Sequence, residues 1–302
     1  MNHVMKRTLT GLAVGAGVIA FFLYCPLKAV PFVLVAFSTV VQLEFYLMAK
    51  KKYEPVTWFG LLAGAGWLIG TAAAPGTIGF AASAVALVCG GVPLLGILAC
   101  IVLFSSRYRS PIGTFAVTVL GFLYVPFLMS FFLRLVQLAP DPGCLFAMPE
   151  ARTGLYSLLA LIALAKFSDT GGFAFGVSFG KHKMCPSISP KKSWEGFVGS
   201  MIFASATLAV FHLIAQRNNW ADTCAIWQLL SGPAVIPCGI VFALVATAGD
   251  LVESRFKREC DVKDSATFMP AGMGGFLDMV DSILILPALV YPLECYLYWN
   301  PL

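Results

Sequence analysis

Charge is what this chain has least of. Asp, Glu, Lys and Arg make up 12% of its 302 residues, where soluble chains carry about a quarter. A water-solvated globular fold is excluded. With 59% hydrophobic residues and a mean hydropathy of +0.85, the solvent has to be a bilayer. Histidine is nearly absent. His3, His182 and His212 are the full set, and no Ser-His-Asp or Cys-His arrangement is suggested, so covalent catalysis is not expected. The nine cysteines contain no C-x-x-C pair and mostly sit in or beside apolar segments, which argues against a zinc site and a disulfide scaffold. There is no internal repeat either, so a transporter built from matching halves finds little support.

Long apolar runs are abundant instead. Stretches of about 20 residues, the length a helix needs to cross a ~30 Å hydrocarbon core, fall at residues 8–26, 29–49, 56–73, 77–104, 112–133, 154–177, 196–215, 226–248 and 280–299. The expectation is an all-α, polytopic membrane protein of about nine transmembrane helices with a cytoplasmic N-terminus. The stretch 77–104, with Gly90, Gly91 and Pro93, reads as a kinked span or two short ones. Residues 1–7 and the apolar run after them lack a small-residue cleavage site before Pro26, so an uncleaved helix is expected there rather than a signal peptide. In this orientation fifteen of the twenty Lys and Arg fall inside, and only Lys28, Arg134, Arg152 and Arg217 fall outside; Lys166 lies within a span. The net charge of +5 suits anionic lipid headgroups, and no nucleic-acid partner is expected.

Residues 1–150 read as an N-terminal transmembrane region, and 151–302 as a C-terminal transmembrane catalytic region with cytoplasmic loops at 168–195 and 250–281. Nine of the fifteen acids lie in or beside those loops: Asp169, Glu195, Asp250, Glu253, Glu259, Asp261, Asp264, Asp278 and Asp281. A merely topological loop needs bases and has no use for clustered acids.

In the first loop, Lys166 and Asp169 are three residues apart and share a helix face. Ionisable groups at that depth are expensive and are usually functional or paired. Ser189, Pro190, Lys191, Lys192 and Ser193 break one helix before the next begins. Ser193 is placed to cap that helix, with Glu195 in its first turn, and a helix N-terminus beside lysines makes a phosphate site. Gly171, Gly172 and Gly176 read as packing glycines. In the second loop Asp250, Glu253, Ser254, Lys257 and Arg258 follow i, i+3, i+4, i+7, i+8 and form one helical stripe. Asp278 and Asp281 share a face. Carboxylate oxygens are the hard ligands Mg²⁺ prefers, and their neighbouring Lys and Arg suggest phosphoryl or nucleotidyl transfer.

These residues resemble the phosphatidate cytidylyltransferase (CDP-diacylglycerol synthase) family. Ser168 to Gly171, Phe179 to Lys181 and Ser189 to Gly196 match its upstream elements; Ser254, Lys257, Arg258, Lys263, Asp264, Pro270, Gly274, Gly275, Asp278, Asp281 and Ser282 match its C-terminal signature. Three positions depart from it: Met273 and Met279 stand where the family has His and Arg, and Pro270-Ala271-Gly272 is one residue longer than the usual Pro-Gly. The resemblance implies transfer of CMP from CTP to phosphatidate with release of pyrophosphate, in phospholipid biosynthesis at a bacterial inner membrane, with the loops facing the cytoplasm. It implies Mg²⁺ as cofactor, held by Asp250, Asp278 and Asp281. Asp169, Lys192, Lys257, Arg258, Lys263 and Asp264 are the expected catalytic residues, and Ser168, Lys181, Ser189, Lys191, Ser193 and Ser254 the expected substrate contacts. A homodimer, a CTP-dependent lipid kinase of the polyprenol or phytol type, a transporter and a non-catalytic membrane homologue remain open.

Overall fold

A computed structural model of the chain describes residues 29–73, 91–137, 153–217, 232–262 and 275–299, with Tyr24 and Ser265. Helix α1 spans Val30–Ala49, α2 Thr57–Ala73 and α3 Val92–Leu103. Helix α4, Pro111–Phe122, passes through a π-turn at Leu123–Phe127 into α5, Leu128–Val136. Helix α6, Thr153–Phe179, leads to a hairpin of β1, Lys183–Cys185, and β2, Ser189–Ser193. Helices α7, Trp194–Arg217, and α8, Val235–Glu259, follow, then the short α9, Phe276–Val280, and α10, Leu286–Trp299. Five stretches are long and apolar enough to cross a membrane: α1, the α4–α5 unit, α6 from Tyr156, α7 and α8; α2 and α3 are shorter apolar helices. An all-α membrane architecture is therefore what the described residues form. The span expected at 8–26 lies outside them, and of 77–104 only the part from Gly91 is described.

Helix α8 runs further than hydropathy suggests, to Glu259 rather than 248, while α6 matches the apolar run at 154–177 and so takes in the start of the expected first loop. The polar segment expected from 168 is helical as far as Phe179, and the one expected from 250 is helical as far as Glu259. Nothing in either sequence breaks a helix sooner. Helix α8 ends only where Asp261 adopts a positive φ of 54°, with Asp261 N–H bonded to Arg258 O (3.2 Å) and Val262 N–H to Lys257 O (2.9 Å); this closing turn usually uses glycine. The last expected span is interrupted instead, by turns at 281–285 between α9 and α10. At about 1.5 Å per residue, Asp169 lies about 15 Å back from the end of α6. Asp169, Asp250 and Glu253 thus stand within helices, with Lys192 on the hairpin and Asp281 in the turn after α9 beside them.

Two packing features position it. Helices α6 and α7 meet through glycines: a Cβ on Gly171 would come 2.6 Å from the Gly199 carbonyl oxygen, and one on Gly199 2.5 Å from that of Gly171. This is the packing role expected of such residues. Gly199→Val should therefore destabilise the chain by about 1–3 kcal/mol, read as a lower melting temperature in detergent; an unchanged melting temperature would refute the contact. The second feature is a polar cap at one end of the bundle. Lys52 Nζ lies 2.6 Å from Glu259 Oε1, Tyr53 Oη donates to the same oxygen (3.0 Å), and Arg109 N–H donates to Glu54 (3.1 Å). Arg258 Nε donates to the hairpin carbonyl of Ile188 (3.4 Å).

Candidate active site

Helix α8 supplies the floor of the site. Its stripe of Asp250, Glu253, Ser254 and Lys257 faces the turn that follows α9, which α8 approaches so closely that a Cβ on Gly249 would sit 2.5 Å from the Asp281 carbonyl oxygen. Through this approach Asp250, Glu253 and Asp281 bring one carboxylate oxygen each within 4.8 Å of one another. Glu253 is fully buried, and its Oε1 has no hydrogen-bond or ion-pair partner among the described residues. An all-oxygen donor set with a buried, unpaired carboxylate oxygen is what a hard divalent cation requires. These three residues would hold one.

Lysines surround this cluster. Lys192, from β2, lies 2.7 Å from Asp250 Oδ2 and donates to Thr247 O (3.3 Å); Ser254 Oγ donates to Asp250 Oδ1 (3.3 Å). Lys257 sits between two acids, 2.5 Å from Glu253 Oε2 and 3.0 Å from Asp278 Oδ1. From α6, Asp169 accepts a hydrogen bond from Ser282 Oγ (3.0 Å) on the same oxygen that Lys166 approaches to 3.9 Å. Five carboxylates and three ammonium groups thus share one network. Fully ionised, it carries two excess negative charges in a region of low dielectric, where like charges repel strongly. One divalent cation cancels them.

The structure separates residues that the sequence reading grouped. Asp278 is not in the carboxylate trio. It pairs with Lys257 and accepts the Gly275 N–H on Oδ2 (2.7 Å), closing the first turn of α9. Burial opposes its ionisation, but contacts with the Glu253 carboxyl, the Gly275 N–H and the Lys257 ammonium outweigh burial and hold its pKa at about 2. Ser193 caps α7, accepting the Gly196 N–H (3.2 Å), and Glu195 in the first turn accepts the Lys181 and His182 N–H groups (3.1 and 3.2 Å). Ser168 is buried, donating to Ser200 O (3.4 Å). These side chains hold the scaffold. Arg258 braces the hairpin, Lys181 and Lys191 are exposed on it, and Ser189 sits half-buried at its register with Cys185. Lys263, Asp264, Pro270, Gly272, Met273 and Gly274 lie outside the described residues; Met279 packs half-buried against the core.

Two residues were missed as site residues. Glu253 could have been found, because it stands three residues after Asp250 on the same face. Glu44 also left a signal, as a lone acid within an apolar span. It is fully buried in α1, and its Oε2 accepts the Leu277 N–H (3.0 Å), tying the N-terminal half to α9. A Cβ on Gly275 would come 2.7 Å from that same oxygen. Glu44→Ala should cost about 1–3 kcal/mol by orphaning a buried N–H, while Glu44→Gln, which keeps an acceptor, should cost less. Equal melting temperatures for the two variants would count against this tie.

Comparison with known proteins places the chain in a family. The chain is 40% identical over 143 residues (47% of its length) to a phosphatidate cytidylyltransferase of Mycobacterium bovis, 42% of whose length is covered. It is 38% identical over 148 residues (49%) to the protein of that name from Staphylococcus saprophyticus, with 52% covered, and 39% identical over 130 residues (43%) to that of Haemophilus influenzae, with 42% covered. The similarity thus spans about half the length of these relatives or less. The model of the cytidylyltransferase family, in contrast, matches residues 5–296. By that match over nearly its whole length, the chain belongs to the cytidylyltransferase family.

Proposed function

We propose that this chain is a phosphatidate cytidylyltransferase: it transfers CMP from CTP to phosphatidate, forming CDP-diacylglycerol and pyrophosphate. The observation that carries the reading is the oxygen-only trio Asp250, Glu253 and Asp281 amid Lys166, Lys192 and Lys257, recessed among membrane helices. Such a site suits a substrate that is both a lipid and a phosphate. In the reaction an oxygen of the lipid phosphate attacks the α-phosphorus of CTP, and the bond from that phosphorus to the bridging oxygen of the β-phosphate breaks, so the leaving group departs as pyrophosphate. The lipid phosphate is already anionic, and positioning with charge neutralisation matters more than a general base. A bound Mg²⁺ would supply neutralisation of the triphosphate oxygens. Lys192 and Lys257 orient the carboxylates that hold it and stand next to incoming phosphates, and Lys191 and Lys181 on the hairpin attract them from the aqueous side. Lys263 and Asp264 share the same signature segment.

The chain is further read as nine spans with a cytoplasmic N-terminus, in a bacterial inner membrane. Clustering of Lys52, Arg109, Lys192 and Arg258 at one end of the bundle supports that orientation; cysteines placed at Lys51 and Lys183 should react with an impermeant reagent only from the cytoplasmic side. The deciding experiment incubates the purified chain in detergent with labelled CTP, phosphatidate and Mg²⁺. Labelled CDP-diacylglycerol with stoichiometric pyrophosphate is expected. Release of CDP with phosphorylation of an added polyprenol would favour the lipid-kinase reading instead.

A further inference from the structure

The N-terminal half contributes one polar group to the recessed site that neither its signature nor its charge pattern reveals. Tyr124 lies in the π-turn at Leu123–Phe127, a turn that also contains Pro126. Single π-turns inside helices re-aim side chains and are frequent at functional sites. This one delivers Tyr124 against α8, where its ring meets Phe256 edge-on at 5.2 Å and tilts against Phe45 at 6.1 Å. Only 6% of Tyr124 is exposed, and its hydroxyl has no hydrogen-bond partner among the described residues. Phe256 stands one helical turn after Glu253 on α8, and the carboxylates of Asp281, Glu253 and Asp250 act electrostatically on the hydroxyl.

A buried hydroxyl without a partner is destabilising, and phenylalanine would fill the same ring position without that cost. The hydroxyl therefore needs a reason. The trio leaves a second buried polar atom unpaired, Glu253 Oε1, on α8 one helical turn before the Phe256 ring that Tyr124 packs against. A hydrated divalent cation satisfies both: Oε1 as a ligand, and the phenol as acceptor of a hydrogen bond from a cation-bound water.

We infer that Tyr124 is a positioning residue of the cation site, holding a water in the ion's coordination shell through its hydroxyl. This rests on the proposed cation site but not on the reaction carried out there. Outer-shell partners of this kind typically change metal affinity about 10–100-fold.

The test uses the purified full-length chain in detergent with Mn²⁺ alone, no nucleotide present, and follows loss of the free-ion electron paramagnetic resonance signal. Tyr124→Phe should weaken Mn²⁺ binding at least tenfold while its melting temperature without metal stays the same or rises, since an unpaired buried hydroxyl is removed. Asp281→Asn sets the level expected for a lost ligand. Binding by Tyr124→Phe within twofold of the unaltered chain overturns the inference, as does weakening that comes only with a lower melting temperature. No Mn²⁺ binding by the unaltered chain overturns it too. If the unaltered chain binds Mn²⁺ and Tyr124→Phe weakens that binding, while no CDP-diacylglycerol forms, the role of Tyr124 stands and the assigned reaction falls.

Discussion

Asp281→Asn should lower Mg²⁺-dependent turnover by on the order of a thousandfold and leave the melting temperature unchanged or raised. The reason for both effects is the same crowding of carboxylates. Asp281 stands within 4.8 Å of Asp250 and Glu253 and is 7% exposed, so without a cation its charge is a liability to the fold. An asparagine there keeps the shape, relieves the repulsion and removes the ligand. Turnover measured against Mg²⁺ concentration, beside a melting curve, reads both effects. Near-normal turnover, or a large fall in stability, would contradict the placement of Asp281 in a cation site. Asp278→Asn makes the contrast: it should lose stability first, because Asp278 closes the first turn of α9 and pairs with Lys257. The two aspartates are three residues apart and look equivalent in the signature, yet only one faces the trio.

Lys257→Met should be the most destabilising single change in the site. It would strand Glu253, fully buried, together with Asp278, each having lost its ammonium partner. Breaking a buried pair by removing one member costs about 3–5 kcal/mol. Combining it with Glu253→Gln should recover part of the loss, because the stranded charge is removed as well. Denaturant unfolding of the single and double variants measures this; identical midpoints would show that the pairing carries no weight. The pH dependence follows with a definite sign. The pKa of Asp278 is depressed in the folded chain, from its ordinary value of 3.8 to about 2. Its stabilising contribution is therefore complete above about pH 4 and disappears as pH falls toward 2. Without Lys257 that depression shrinks, and the acid-sensitive window should narrow toward the ordinary carboxylate range.

The acid network explains why the helices are long. A reading by hydropathy ends one span at 248, before Asp250, and a reading by charge starts a loop at 168 although the apolar run continues to 177. The physical helix has no reason to stop there. Asp169 and Glu253 are paired by Lys166 and Lys257 of their own helices, Asp250 by Lys192 of the hairpin, and Ser282 donates to Asp169, and the backbone continues until Gly180 and Asp261 end it. Charged residues thus lie within helices that elsewhere face lipid.

Hydropathy, charge asymmetry and the spacing of acids determined a great deal by themselves: a helical membrane chain, and a stripe on α8 bearing Asp250, Ser254 and Lys257. Those features are local, set by periodicity and by the cost of charge in hydrocarbon. Gly171 and Gly172, read from sequence as packing glycines, do pack closely, and the structure supplies α7 as their partner. Only the tertiary structure decided which carboxylates meet. Whether Asp278 or Glu253 completes the trio depends on how α9 is turned, and that turn is set by Glu44 reaching Leu277 N–H from a helix 233 residues away in sequence. Tyr124 belongs to the same class: its aim depends on a π-turn in a helix that, by composition, is only another apolar span. Contacts of this kind are made between distant segments by packing, and no local pattern encodes them.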